Sequence, residues 1–204
     1  MTTPSPPDDS GQTRALRPGD RLVATSVRTP DGAGSLTLGE LMNKLGTIDE
    51  SGIRRGFEWP ILLQLYELGG AGPPVFETAA FQPDTLTRRE VRDLIATRVL
   101  PIQKRPGTAF DDMITLGRAP NCDLVIPVPA VSKFHLWFQY DELSWFIVDA
   151  GSTNGTAVDG ETLEARRRHR LEEPAVISVS GEFHYRFVPP AALYHLLSAA
   201  DRLR

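Results

Sequence analysis

The sequence predicts a mainly β protein: a β-sandwich over residues 100–190, with a short C-terminal helix over 191–204. A small α/β region over 35–99 and a disordered tail over 1–34 precede the sandwich. Three observations carry this. From about Leu100, short β-prone runs recur at intervals of roughly ten residues with turn chemistry between them, the pattern of a sandwich or barrel. All 16 aromatic residues lie at or beyond Phe57, so the packed core must follow it. Residues 1–34 hold five Pro, four Gly and eight Ser or Thr, against only Met1, Leu16, Leu22, Val23 and Val27 as large apolar side chains. That supply cannot offset the entropy of ordering the segment.

In chain order, Leu22–Val27 is at most a short extended piece. Thr37-Leu38-Gly39-Glu40 has the spacing of a capping box; Leu41, Met42 and Leu45 follow at helical intervals and Gly46 supplies a stop, so a helix is expected over 38–45. Ile61–Leu68 and Val75–Phe81 flank the loop Gly69-Gly70-Ala71-Gly72-Pro73-Pro74 and suggest a hairpin, with a helical Ile61–Leu65 as the other reading. A second capping box, Thr87-Arg88-Arg89-Glu90, opens a helix to about Thr97. Strands are then expected at Met113–Leu116, Leu124–Ile126, Phe134–Tyr140, Trp145–Val148, Thr156–Val158, Ala175–Val179 and Phe183–Val188. In 191–204, Leu193, Leu196, Leu197 and Leu203 sit in a helix-friendly context, expected to pack on the sandwich or on a partner.

Composition narrows the function. The formal net charge of −4 over 204 residues provides no basic footprint for nucleic acid. No apolar run reaches the roughly 18 residues of a membrane helix, and Met1–Ser10 reads as no secretory signal; a soluble cytoplasmic protein is expected. Cys122 stands alone, which excludes an internal disulfide, and the four histidines show no ligand spacing, so neither metal nor cofactor is expected. Gly70-Ala71-Gly72 is no dinucleotide fingerprint, because Pro73 and Pro74 forbid the helix that must follow. Gly151–Gly155 lacks the spacing of a nucleophile elbow.

Polar residues gather at strand ends: Gly117-Arg118, Ser132-Lys133-Phe134-His135 and, after Asp149, Ser152-Thr153-Asn154-Gly155. They are hydroxyls, amides and cations without a nucleophile and base to pair, so no enzyme activity is expected. Such donors complement a phosphate monoester, with its three acceptor oxygens and charge of about −1.5 to −2. Trp137 and Trp145 read as core residues. Arg166-Arg167-Arg168-His169-Arg170 reads as a solvated loop, or as an auxiliary site for an acidic partner or peptide flank.

The order GR, SxxH, NG within a β-sandwich resembles the forkhead-associated (FHA) domain, a reader of phosphothreonine peptides. The resemblance spans about residues 95–190. It implies that Arg118 orients the binding loops and donates to the phosphopeptide, that Ser132 bonds the phosphate with Lys133 beside it, that Thr153 contacts the phosphothreonine region, and that Asn154 holds the peptide backbone. Gly117 and Gly155 would permit the turns, and His135 would tie a binding loop to the sandwich. Lys133 departs from the arginine of many family members, keeping the charge but losing the planar fork.

The expected function is therefore a phosphothreonine-dependent interaction module, a signalling adaptor reading Ser/Thr kinase output. Its partners would be phosphothreonine-containing proteins, kinase substrates or a kinase, with no nucleic acid and no membrane. Thr3-Pro4 and Ser5-Pro6 add a self-association reading through a phosphorylated tail. The alternative is a phosphate-independent scaffold using Ile61–Phe81 and the C-terminal helix.

Overall fold

The structure, a computed structural model, describes residues 36–45, 59–65, 94–172 and 175–202. Two sheets face each other, and a pair of helices covers the outer side of one. The seven-stranded sheet contains β1 (Leu36–Thr37), β2 (Ile61–Leu65), β3 (Arg98–Pro101), β8 (Thr156–Val158), β9 (Glu161–Thr162), β11 (Ala175–Val179) and β12 (Phe183–Val188), in the order β1-β3-β2-β12-β11-β8-β9. The five-stranded sheet contains β4 (Ile114–Gly117), β5 (Leu124–Val125), β6 (Leu136–Tyr140), β7 (Trp145–Asp149) and β10 (His169–Leu171), in the order β10-β7-β6-β4-β5. Among the described residues, only β4 and β5 pair in parallel.

Strand alternation builds the core. Leu136 and Phe138 on β6, Leu116 on β4 and Ile147 on β7 point inward, where they meet Ile177, Phe187 and Leu62 from the other sheet. The odd-numbered neighbour Trp137 faces outward opposite Thr115 and Val148 and stacks on Phe134 with centroids 5.7 Å apart, so it stands outside the core expected of it. Trp145 is partly buried and packs against the core.

Around β2, β3 and β12 the seven-stranded sheet is buried on both faces. Ile61 and Leu63 of β2, Val99 of β3 and Val188 of β12 pack outward against α1 (Leu38–Leu45) and α2 (Pro190–Arg202). Leu38, Leu41 and Met42 are the buried stripe of α1; Leu193, Leu196 and Leu197 are that of α2. The first capping box forms: Thr37 N–H donates to Glu40 Oε2 at 2.7 Å and Glu40 N–H to Thr37 Oγ1 at 3.2 Å, an arrangement worth about 1 kcal/mol to a helix.

Several expectations are corrected. Ile61–Leu65 is a strand and not a helix, with β12 along one edge and, over Ile61–Leu63, β3 along the other. Val75–Phe81 and the second capping box lie outside the described residues, as does the tail. The helix expected to reach Thr97 has ended by Ile95. The sheet crosses the boundary expected at residue 99, since β3 straddles it and β2 lies well before it. His169–Leu171 is the edge strand β10, paired with β7, where a loop was expected. Its charged residues disguise it, which is how natural sheets protect an exposed edge.

Candidate functional site

The expected site residues converge on the loops at one end of the sandwich: 118–123 after β4, 126–135 before β6, and 150–155 between β7 and β8. Gly117 is the tightest point. A Cβ there would fall on the carbonyl oxygen of Lys133, 2.9 Å from its carbonyl carbon and 3.0 Å from the carbonyl oxygen of Ser132. Glycine is therefore required by a close approach of two backbones, and not by a turn. The approach lets Arg118 N–H donate to Ser132 O at 2.9 Å and Ala119 N–H to Lys133 O at 3.1 Å. Gly155 does occupy a turn conformation, with φ of 76°.

His135 locks the second loop to the third. Its ring is fully buried. Nδ1 accepts the Ser132 N–H at 3.2 Å, so Nε2 carries the proton and donates to Gly155 O at 3.1 Å. Burial pushes its pKa below the usual imidazole value, against opposing contributions from the Gly155 carbonyl and Asp149. A neutral ring is what this pair of bonds needs.

Asp149, at the end of β7, organises the third loop from beneath. Oδ1 accepts the Gly151 and Ser152 N–H groups, both at 2.8 Å; Oδ2 accepts the Ser152 and Thr156 hydroxyls, both at 2.6 Å. Burial alone would raise its pKa, but these bonds together outweigh it and hold the carboxylate below its ordinary value. Asp123 supports the first loop in the same way, accepting the Thr115 N–H and hydroxyl at 2.7 Å each and the Arg105 N–H at 2.8 Å.

On this frame Ser132 and Thr153 meet. Thr153 N–H donates to Ser132 Oγ at 3.0 Å, and the two hydroxyl oxygens are 3.4 Å apart. That second contact is long enough for a better acceptor to displace it. Asn154 donates through Nδ2 to Ala130 O at 2.9 Å, which leaves its Oδ1 and a second N–H exposed, the complement of a peptide unit. Arg118 is exposed and borders a cleft of about 320 Å³ with Pro127, Val128 and Pro129; its guanidinium has no ion-pair partner among the described residues. Lys133 is also exposed, but it borders a different pocket, of about 260 Å³, with Phe110, Cys122 and Phe134. The two cations thus flank separate depressions.

Asp149 and Ser180 escaped the sequence reading. Ser180 accompanies Asn154 on Ala130 O, at 2.8 Å, and its N–H donates to Gly155 O at 3.0 Å. Asp149 carried a signal, an aspartate two residues before a glycine and three before a serine, the spacing at which a carboxylate bonds the following backbone amides. Ser180, far along the chain, carried none. Among the described residues, no group of three or more His, Cys, Asp or Glu is placed to hold a metal ion.

The family model of the FHA domain matches residues 114–180, a stretch that begins at β4 and contains every one of these loops. Residues 114–180 are an FHA domain. The FHA match contains Gly117-Arg118, Ser132 to His135 and Thr153 to Gly155, but neither β2, β3 nor β12. The chain is 26% identical over 91 residues to the FHA domain-containing protein PS1 of Arabidopsis thaliana; the match covers 42% of this chain and 6% of that protein. Among solved structures it is similar to an FHA domain described with phosphothreonine-dependent interactions, at 19% identity and a TM-score of 0.39, covering 63% of this chain and 95% of that one. The MEK1 FHA domain in complex with a HOP1 phosphothreonine peptide is 26% identical with a TM-score of 0.37, covering 45% and 87% of the two chains. No helix among the described residues is long and apolar enough to cross a membrane.

Proposed function

We propose that the FHA domain of this chain captures phosphothreonine-containing protein segments, and so reads the output of a Ser/Thr kinase as a cytoplasmic signalling adaptor. The observation that carries the reading is the Ser132–Thr153 pair, two hydroxyls and an amide hydrogen-bonded to each other across two loops, with Arg118, which has no ion-pair partner among the described residues, on the neighbouring 118–123 loop. A phosphate dianion offers these donors a stronger acceptor than they offer each other. Ser132 would take the phosphate, Arg118 and Lys133 its charge, Thr153 the neighbourhood of the phosphothreonine, and Asn154 the peptide backbone. Gly117, His135 and Gly155 would act by holding the loops. A phosphorylated tail of a second copy is one such segment; kinase substrates or a kinase would be others.

Fluorescence polarisation of phosphothreonine peptides, with unphosphorylated and phosphoserine controls, tests this. Binding should require phosphothreonine and weaken about tenfold or more in Arg118→Ala or Ser132→Ala, since a hydrogen bond to a charged group is worth about 1.5–3 kcal/mol. Binding that ignores phosphorylation would overturn the reading. Of the surfaces assigned to the phosphate-independent scaffold, residues 66–81 lie outside the described residues, and the described ones are engaged within the fold. β2 is paired on both edges, and the apolar stripe of α2 is spent on the sheet.

A further inference from the structure

We propose that Arg166 is a specificity residue of this site, pairing with an acidic side chain of the phosphopeptide close to the phosphothreonine. The assignment rests on the phosphothreonine reading above and adds to it the chemistry of the flanking sequence.

Three consecutive arginines follow β9, and two are already engaged. Arg167 Nη1 lies 2.8 Å from Glu164 Oε2. Arg168 Nη2 lies 3.5 Å from Asp141 Oδ2, with its guanidinium 3.9 Å from the centroid of the Phe146 ring. Arg166 is exposed and has neither a carboxylate nor a ring among the described residues. Its backbone is fixed. Its N–H donates to Asp149 O at 2.8 Å, and its φ is 64°, a conformation that a non-glycine residue keeps only where its surroundings dictate it. Asp149 also holds the Gly151 and Ser152 amides through its carboxylate, so a single residue anchors Arg166 and the loop presenting Thr153 and Asn154. The side chain leans over that loop: Nε is 4.0 Å from the position a Cβ on Gly151 would take. The side chain thus lies beside Gly151, two residues before Thr153 in the sequence, with a planar fork that has no ion-pair partner among the described residues. A carboxylate matches that fork.

The 204-residue chain is titrated by fluorescence polarisation with a phosphothreonine peptide whose neighbours are alanine, and with versions carrying a single Asp at each of four positions on either side. At low salt one position should tighten binding up to about fivefold, the ceiling for an exposed ion pair, and the gain should shrink as salt rises. The ratio of Asp-peptide to Ala-peptide affinity, taken on the same variant, should fall to one in Arg166→Gln and persist in Arg167→Gln. Indifference of the wild type to every Asp position overturns the assignment while leaving the phosphothreonine reading intact. So does a ratio that survives Arg166→Gln, or that disappears in Arg167→Gln alone. If the wild type binds no phosphorylated peptide, the reading fails and the assignment goes with it.

Discussion

His135 has both ring nitrogens committed, one to the Ser132 amide and the other to the Gly155 carbonyl, and its side chain never meets solvent. Protonating it would place a second N–H against the Ser132 N–H, donor against donor. Its folded pKa lies below the value near 6.5 of an unfolded chain, so the unfolded state binds the proton first as pH falls. The stabilisation is complete above about pH 6.5 and drains away below it, at no more than about 1.4 kcal/mol per pH unit for one proton. Asp149 acts in the opposite sense but lower on the scale. Its pKa is depressed, so its contribution is present above about pH 4 and fades only as pH falls through its folded value. Thermal denaturation between pH 7.5 and 5 should show the melting temperature falling towards the acid side in the wild type. His135→Asn should melt lower throughout but with a flatter pH slope. Equal slopes in the two proteins would remove His135 from this role.

At the scale of an element, the site depends on how closely β4 can approach the 132–133 segment. Gly117→Ala puts a methyl group into the Lys133 carbonyl, backbone against backbone, so neither side can yield by turning a rotamer. Overpacking of this kind costs about 1–3 kcal/mol, to be read from the urea midpoint, and phosphopeptide affinity should fall with it because Ser132 moves. A variant as stable and as tight-binding as wild type would show that the loop slides freely. The elements also show what the sequence made legible. The helix 38–45 and the strands 156–158, 175–179 and 183–188 appear with the expected bounds, because capping chemistry and alternation are local signals. Ser132, Thr153 and Asn154 were legible as motif residues, and the structure places them on touching loops. Two things were not. Alternation marks a residue as buried without saying which amides it serves, so Asp149 was passed over. Pairing between distant strands leaves no local trace, so nothing in the sequence points from β2 to β12.

The whole molecule is larger than the segment matched as an FHA domain. β2 sits mid-sheet between β12 and β3, its Leu62 in the sandwich core and its Ile61 and Leu63 under the helices. A fragment of residues 100–190 would leave one edge of β12 bare, cut β3 short and strip both helices from an apolar face. It should be aggregation-prone or unfolded by circular dichroism and size-exclusion chromatography, where residues 36–202 give a cooperative melt. A soluble, cooperatively folded 100–190 fragment that binds phosphopeptide would show that the outer layer is dispensable.

The pairing of β2 with β12 also sets a clock during synthesis. About 120 residues separate the partners. At ~5–20 residues per second, the apolar strand Ile61–Leu65 emerges from the ribosome roughly 6–24 s before the strand it must zip against. In that interval the nascent chain carries an interior strand of its own sheet with β3 on one edge and the other edge still waiting for β12, so that side of the helix-covered sheet is completed only after the intervening strands have emerged.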